Sequence, residues 1–483
     1  AEPTNPSAGD FGGPSWLGAP PVIDEADITE TIDTEVLVVG MGTGGIPAMI
    51  SAAENGAKVL GIDRQGTPHN VREDIGAIDS RLQQASFDEF PEFRIEKKEA
   101  VEDIVRYANG FVNYDLVKLW ADESGAMVDW LTDIIQRDGK LVMEFEGGVG
   151  DTSDPGRDKA FATGHSPQKT DAVAEDEEWG FAESILAYAA EQGAETRWYC
   201  EFIKCETDES GRVTGVIARD VQGDRHYLRI NASRGVILST GDYSQNTKML
   251  KHFCPEVIEN NIQCLFTNVD VEGNFTNQGD GIQLGMWAGA QVQQSHAPMI
   301  HHMGGGAGAD GRGVIGNNGY LWLNLRGKRF MNEDLPGQQL ENQVELQPQR
   351  KAYQFFDASW PEQLAYFPAA HGVACIYRDE PLPEYTASGL RINVRTPADI
   401  DAAVEEGRCL KADTIDELLG MIEGMDVETA KASIERYNEL ARAGEDTDFF
   451  KSPQRLFALE NGPFYAAECG CALTLGNLGG LES

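Results

Sequence analysis

One stretch, Thr34 to Asp63 (TEVLVVGMGTGGIPAMISAAENGAKVLGID), limits what this chain can fold into more than any other. Val36, Leu37, Val38 and Val39 form a continuous apolar run, the pattern of a buried parallel strand. The run enters Gly40-Met-Gly42-Thr-Gly44-Gly45 and then a small-residue helix through Ala48, Ala52 and Ala53. A second strand, Lys58 to Ile62, ends on Asp63. Strand, glycine loop, helix, second strand and an acid roughly 20 residues on are the βαβ dinucleotide fingerprint. Gly40 permits the tight turn, Gly42 lets backbone approach a pyrophosphate, and Gly45 lets helix and strand pack closely. The diphosphate is expected on the positive helix N-terminus, and Asp63 is expected to accept hydrogen bonds from the adenosine ribose.

The 483 residues can bury a large core in two or more domains, and 41% hydrophobic content with 53 glycines suits a loop-rich α/β protein. Lys and Arg total 39 against 79 Asp and Glu, a net charge of −40, which argues against nucleic acid and anionic membrane surfaces as partners. It reads as a solvated acidic surface or as an attraction for a basic redox partner. No run approaches the roughly 18 apolar residues of a membrane span. The eight cysteines contain no CxxC pair, haem attachment site or ferredoxin-like run. Most read as buried small hydrophobes; Cys469-Gly-Cys471 is the one close pair, and no motif supports an iron–sulfur cluster on it. No metal site is expected. The start, AEPTNPSAGDFGGPS, lacks an initiator Met and reads as a mature chain after signal-peptide cleavage or as a trimmed one. Export is the expectation, with a cytoplasmic site as the alternative.

Residues 1–33 read as an extended arm docked by Trp16 and Leu17. Helical patterns cover Lys97 to Ala108, Asp115 to Arg137 and Trp179 to Glu191. A strand pair is expected at Thr196 to Cys205 and Arg212 to Arg219 around the turn Asp208 to Gly211, and a buried parallel strand at Gly235 to Thr240. A glycine-rich tract, 304–319, precedes a hairpin-like YLWLNLRGKRFMNE. Thr414 and Glu417 form a capping box, and an amphipathic helix runs from Val427 to Ala443.

Five later segments stand in a telling order: GVILSTGDYSQN (235–246), TNQGDGIQLGMWAGA (276–290), LNLRGKRFMNE (323–333), SIERYNELARAGEDTDFFK (433–451) and GPFYA (462–466). With the fingerprint, they resemble the flavoprotein subunit of the fumarate reductase/succinate dehydrogenase superfamily, closest in flavour to exported reductases of anaerobic bacteria that act on urocanate, cinnamates and cardiac glycosides. The resemblance implies an α/β fold: a Rossmann-like FAD-binding domain at 34–298, an inserted α+β capping domain at 299–460, and a return to the FAD domain at 461–483. It implies non-covalent FAD, held by Gly40, Gly42, Gly44, Gly45 and Asp63 together with Arg64, His69, Asn70, Gly76, Ala77, Cys205, Thr240, Gly241, Asn246, Gly279 and Asp280. His69 also falls where succinate dehydrogenases bond a histidine covalently to the flavin, which is the alternative. Relatives continue past this point with a GLYAxG-like segment, so the flavin site is expected to be incomplete at Gly479-Gly-Leu-Glu-Ser483.

Departures from the family decide the chemistry. The proton-delivering Arg of fumarate reductases aligns with Gly337, and the Glu and Arg that feed it align with Gly313 and Gly316. The substrate-binding His near the terminal glycines is replaced around Leu475 or Gly476. A dicarboxylate would be bound poorly without those cations. His296 matches the family's HPT histidine and is the first candidate for substrate contact or acid, with His301 and His302 beside it. Arg312, Tyr320, Arg329 and Glu333 follow, the last two also reading as a pin for the cap. Trp322, Phe330, Tyr353, Phe355 and Phe356 read either as an apolar cleft or as core of the cap. The expectation is an FAD-dependent reductase of the C=C bond of a small organic acceptor other than fumarate, fed by a cytochrome or other donor protein. Alternatives are a 3-ketosteroid-type dehydrogenase or amino-acid oxidase on the same fold, and a non-catalytic flavin-binding protein.

Overall fold

The computed structural model describes residues 14–482 except 69–70, 72–73, 148–160, 175–176, 178, 265–266, 271, 294–295, 302–304, 307–312, 317, 335–336, 368–375, 378–389, 393 and 471–472. The apolar run of the fingerprint is the inner half of a long strand, β1 (Ile28–Val39), and the helix α1 (Gly45–Glu54) returns the chain to β2 (Val59–Ile62). Val36 to Val39 pair in parallel with Val59 to Ile62 on one side. On the other they pair in parallel with the end of β9, after a shift in register between Thr34 and Val36. Ile28 to Asp33, expected in the extended arm, are therefore the outer half of β1. Trp16 and Leu17 do dock: they are buried against Tyr243, Met249 and Leu250, and Gln283 Nε2 donates to both of their carbonyls.

Between β2 and the return to the main sheet lie β3 (Ile75–Gly76), α2 (Arg81–Ala85), α3 (Lys97–Tyr107), α4 (Tyr114–Ile135), β4 (Leu141–Gly147), β5 (Gly164–Lys169) and α5 (Phe181–Glu191). Asn113 caps α4 by accepting from the Asp115 and Leu116 amides, which fixes where the long helix starts. The inner faces of α1, α4 and α5 bury Met49, Ile50, Leu131, Ile134 and Ile185 against the sheet. The main sheet then adds β6 (Glu195–Arg197), β7 (Cys200–Thr207), β8 (Val213–Asp220) and β9 (Tyr227–Leu238), in the order β6-β2-β1-β9-β8-β7. The strand expected at Thr196 to Cys205 is broken at Tyr199, whose φ of 55 turns the chain from a parallel pairing with β2 to an antiparallel one with β8. Gly235 to Leu238 are parallel as expected but only partly buried: Val236 and Leu238 pack against the core around Leu37 and Val39, and Ile237 is 38% exposed.

Next come α6 (Thr247–Phe253), α7 (Pro255–Glu259), β10 (Gln263–Cys264), α8 (Asp280–Trp287), β11 (Gln291–Val292) and β12 (Ala297–His301). The segment that carries the cap contains β13 (Leu321–Asn324), α9 (Gly337–Glu345), β14 (Ala352–Asp357), α10 (Trp360–Gln363), β15 (Ile376–Tyr377), β16 (Leu390–Ile392), β17 (Val394–Arg395), α11 (Pro397–Glu405), β18 (Leu410–Ala412), α12 (Ile415–Gly420) and α13 (Val427–Ala443), of which β16 pairs outside the cap, with β4 in the sheet β16-β4-β5-β3. The cap sheet has the order β13-β14-β19-β18, where β19 is Phe464–Cys469. GPFYA thus leads into a central cap strand, and the chain leaves the cap only with β20 (Leu473–Leu478), paired to β12 and β10, and β21 (Leu481–Glu482), paired to β11. The Asp357 carboxylate accepts from the Glu460 and Asn461 amides and sets that entry. The expected hairpin after Tyr320 has one strand; its turn is closed by Asn324, which accepts from the Arg326 and Lys328 amides. Thr414 caps α12 through the Glu417 amide, and α13 matches its expected span. No helix among the described residues is long and apolar enough to cross a membrane.

Candidate cofactor and substrate sites

The glycine loop is dictated by how closely backbones approach. At Gly40 the φ is 93, and a Cβ there would lie 2.3 Å from the Ser239 carbonyl oxygen. At Gly45 a Cβ would lie 1.8 Å from the Gly40 carbonyl oxygen. The Asp63 carboxylate reaches back to the loop, accepting from Met41 N at 2.8 Å and from Gln65 N at 2.9 Å. A carboxylate has about four acceptor directions, so two remain for the hydroxyls of a ribose. Loop, acid and the facing strand end enclose a cavity of about 390 Å³ lined by Gly40, Gly42, Gly44, Asp63, Arg64, Thr240, Gly241 and Asp280. The cradle fits the adenosine and pyrophosphate half of a dinucleotide: bare backbone where a Cβ would intrude, a helix N-terminus behind it, and an acid at its edge.

Arg64 crosses this cavity and is shared by three carboxylates, Asp270 at 2.9 Å, Asp280 at 3.2 Å and Glu201 at 3.3 Å. Burial pushes the Asp280 carboxyl above its ordinary range, which Arg64 offsets in part. Gly279 turns the chain into α8 with a φ of 72, and Asn246 caps α6 through the Lys248 and Met249 amides; both brace the cavity without lining it. Cys205 is likewise off the lining. Cys200, at the start of the same strand, takes its place because its amide donates to the Asp63 carbonyl, and burial pushes its thiol up to about 12. Sequence reasoning missed Cys200 because the break at Tyr199 has no glycine or proline to mark it. Gly76 and Ala77 lie in a second layer, where the Gly76 carbonyl accepts from the Trp120 indole at 2.8 Å and the Ala77 amide donates to Thr163.

His296 sits in front of β12 with its ring stacked on Phe253 at 3.9 Å. Its Nε2 is 2.8 Å from the Gln293 carbonyl, which can only accept, so Nε2 carries the proton and Nδ1 accepts from the Tyr243 hydroxyl at 2.7 Å. Both ring nitrogens are thus engaged, and burial holds the imidazole's pKa below the ordinary histidine value. His301 ends β12 opposite Leu473. The His301 side chain and the residues His69, Asn70, His302 and Arg312 lie outside the described residues.

Tyr320 and Glu333, read as second-line catalytic candidates, are placed in the interior of the cap. Tyr320 is packed against Phe356 and Phe367, and its hydroxyl donates to the Trp360 carbonyl. Glu333 receives two hydrogen bonds of 2.7 Å from Arg329, which also meets Asp446 at 2.6 Å. Burial works against the Arg329 charge, but Glu333 and Asp446 outweigh it and keep the guanidinium protonated. Lys451 closes the cluster by donating to Tyr437 and to the Gly319 carbonyl. The cluster ties residues on either side of β13 to those after α13. Trp322, Tyr353, Phe355 and Phe356 are buried cap core rather than cleft.

A second concavity, of about 730 Å³, runs between the α3–α4 pair and the β12–β20 pair, with His296 and Gly479 in its wall. A family model described as FAD binding domain matches residues 35–482. Vinyl phenol reductase of Lactiplantibacillus plantarum is 26% identical over 92% of this chain and 84% of its own length. The cytochrome-type fumarate reductase of Shewanella frigidimarina is 24% identical over 91% of this chain, which spans about two thirds (66%) of that longer protein. In fold, the 3-ketosteroid-Δ4-(5α)-dehydrogenase of Rhodococcus jostii superposes with a TM-score of 0.64 at 19% identity, covering 95% of this chain and 88% of that one. The glycine cradle, its acid and the family match over nearly the whole length lead to one assignment: the chain belongs to the FAD binding domain family, within the fumarate reductase/succinate dehydrogenase flavoprotein superfamily.

Proposed function

We propose that this FAD-dependent oxidoreductase reduces the C=C bond of an uncharged organic acceptor, with electrons delivered by a separate redox protein. The observation that carries the reading is where the cap spends its charge. Arg329, the arginine of the RFxNE segment, is locked by Glu333 and Asp446 inside the cap, and glycines stand at 313, 316 and 337 where fumarate reductases carry their proton relay. Among the described residues a dicarboxylate would meet no such clamp. A relative named for a vinyl phenol supports the same direction.

The chain's own contribution begins with Gly40 to Gly44 and the N-terminus of α1, which would hold the pyrophosphate, and Asp63, which would hold the ribose. Bound FAD supplies the two-electron exchange with the substrate carbon. His296 keeps its proton on Nε2 against Gln293 and accepts from Tyr243 on Nδ1, so both ring nitrogens are engaged within the chain. An anaerobic assay of the FAD-loaded chain with reduced methyl viologen tests the reading. 4-Vinylphenol and 2-cyclohexenone should oxidise the dye, with fumarate slower by at least about tenfold, ~1.4 kcal/mol in barrier. Fumarate turnover at a comparable rate would overturn it.

A further inference from the structure

We propose that the groove between α3–α4 and β12–β20 seats the body of the acceptor, and that this body is an uncharged compound of one or more rings. The inference rests on the reductase reading above and adds where the substrate lies and what class it belongs to. The groove's volume, about 730 Å³, is within the range of roughly 300–1,000 Å³ typical of small-molecule sites. Its walls hold large apolar side chains that remain open to solvent: Phe111 is 72% exposed, Leu116 62% and Leu478 54%. Such groups converging on a concavity mark a binding surface, whereas scattered ones do not.

Charge narrows the class. The chain carries −40, yet no charged residue is among the groove's described lining. An anionic substrate would find no counter-ion there and would approach against the field of the whole molecule. Several polar groups in the wall already have partners within the chain. Asn113 Oδ1 caps α4, the Trp120 indole is given to the Gly76 carbonyl, and both nitrogens of His296 are engaged. His296 therefore presents ring surface, and it can lie where it does because Gly479, at a φ of 106, has no Cβ; one would fall 2.5 Å from Nδ1. The Trp120 bond fastens one wall of the groove to β3, which directly follows the fingerprint.

The test uses the FAD-loaded chain and equilibrium dialysis of four probes: 2-cyclohexenone, 4-vinylphenol, 4-androstene-3,17-dione and the anion trans-cinnamate. Affinity for the neutral probes should rise with ring area by about tenfold or more, and cinnamate should bind at least about tenfold more weakly than 4-vinylphenol. Phe111→Arg and Leu116→Arg, at exposed positions that leave the fold intact, should each weaken neutral-probe binding about tenfold or more with flavin content and melting temperature unchanged. Equal binding of neutral probes by wild type and both variants, or preference for cinnamate, would overturn the proposal. If the variants lose binding while no probe is ever reduced, the groove stands and the reductase reading falls. If the variants reduce the enones with unchanged KM, the reductase reading stands and the groove falls.

Discussion

At the scale of single residues, the loop and the Arg329 cluster make opposite demands. At Gly40, any Cβ collides with the backbone of Ser239, so Gly40→Ala cannot be accommodated by a rotamer change. We expect it to weaken FAD binding by at least about tenfold, read as the flavin-to-protein absorbance ratio after gel filtration. Glu333 is different: it is a buried anion whose loss leaves Arg329 with Asp446 as its one remaining ion-pair partner among the described residues and takes a carboxylate away from buried Lys451. Glu333→Gln should cost roughly 3–5 kcal/mol of stability and lower the melting temperature without removing flavin. Asp446 gives that cluster a pH signature. Burial alone would raise its carboxyl, but Arg329 and the Lys451 and Phe449 amides hold it down at about 2. A carboxyl depressed in the folded state stabilises above its unfolded value of 3.8 and loses that contribution as pH falls toward about 2. Thermal melts across that window should fall steeply in wild type and less so in Asp446→Asn.

At the scale of elements, the sequence was most legible where one physical rule acted alone. The apolar run, glycine loop and acid of 34–63 fix a βαβ unit by period and spacing, and α13 is fixed by its amphipathic period and its Asp426 cap. Legibility failed where tertiary pairing decides. Nothing local announces the turn at Tyr199, the register shift between Thr34 and Val36, or the capture of Phe464–Cys469 by the cap sheet, because each depends on a partner strand far along the chain. The same limit explains why Cys205 was chosen over Cys200 and why cap aromatics were weighed as a cleft while Phe111 and Leu116 went unnoticed. The docked N-terminal segment is an element-scale case in point. Trp16 is 4% exposed and its carbonyl is held by Gln283 on α8, the helix that also carries Asp280. Trp16→Ala should cost on the order of 3–5 kcal/mol, with faster proteolysis of the segment and a lower flavin content as the two readouts.

At the scale of the whole molecule, a net charge of −40 repels itself in the compact state. Raising NaCl from low to moderate ionic strength should therefore raise the melting temperature, and a fall instead would show that paired charges such as Arg197 with Glu30 outweigh the repulsion. The same field favours a basic electron donor, whose transfer rate should drop as salt is added. The carboxylates gathered around Arg64 carry this imbalance into the cofactor cavity itself: one cation is divided among Glu201, Asp270 and Asp280 where a diphosphate is to sit. Two further negative charges would favour the neutral form of Asp280, already raised by burial. Loading FAD is then an acid–base event as well as a binding event. The holoprotein should then hold more protons than the apoprotein in the pH range where Asp280 titrates, and calorimetry in buffers of different ionisation enthalpy should register that proton uptake.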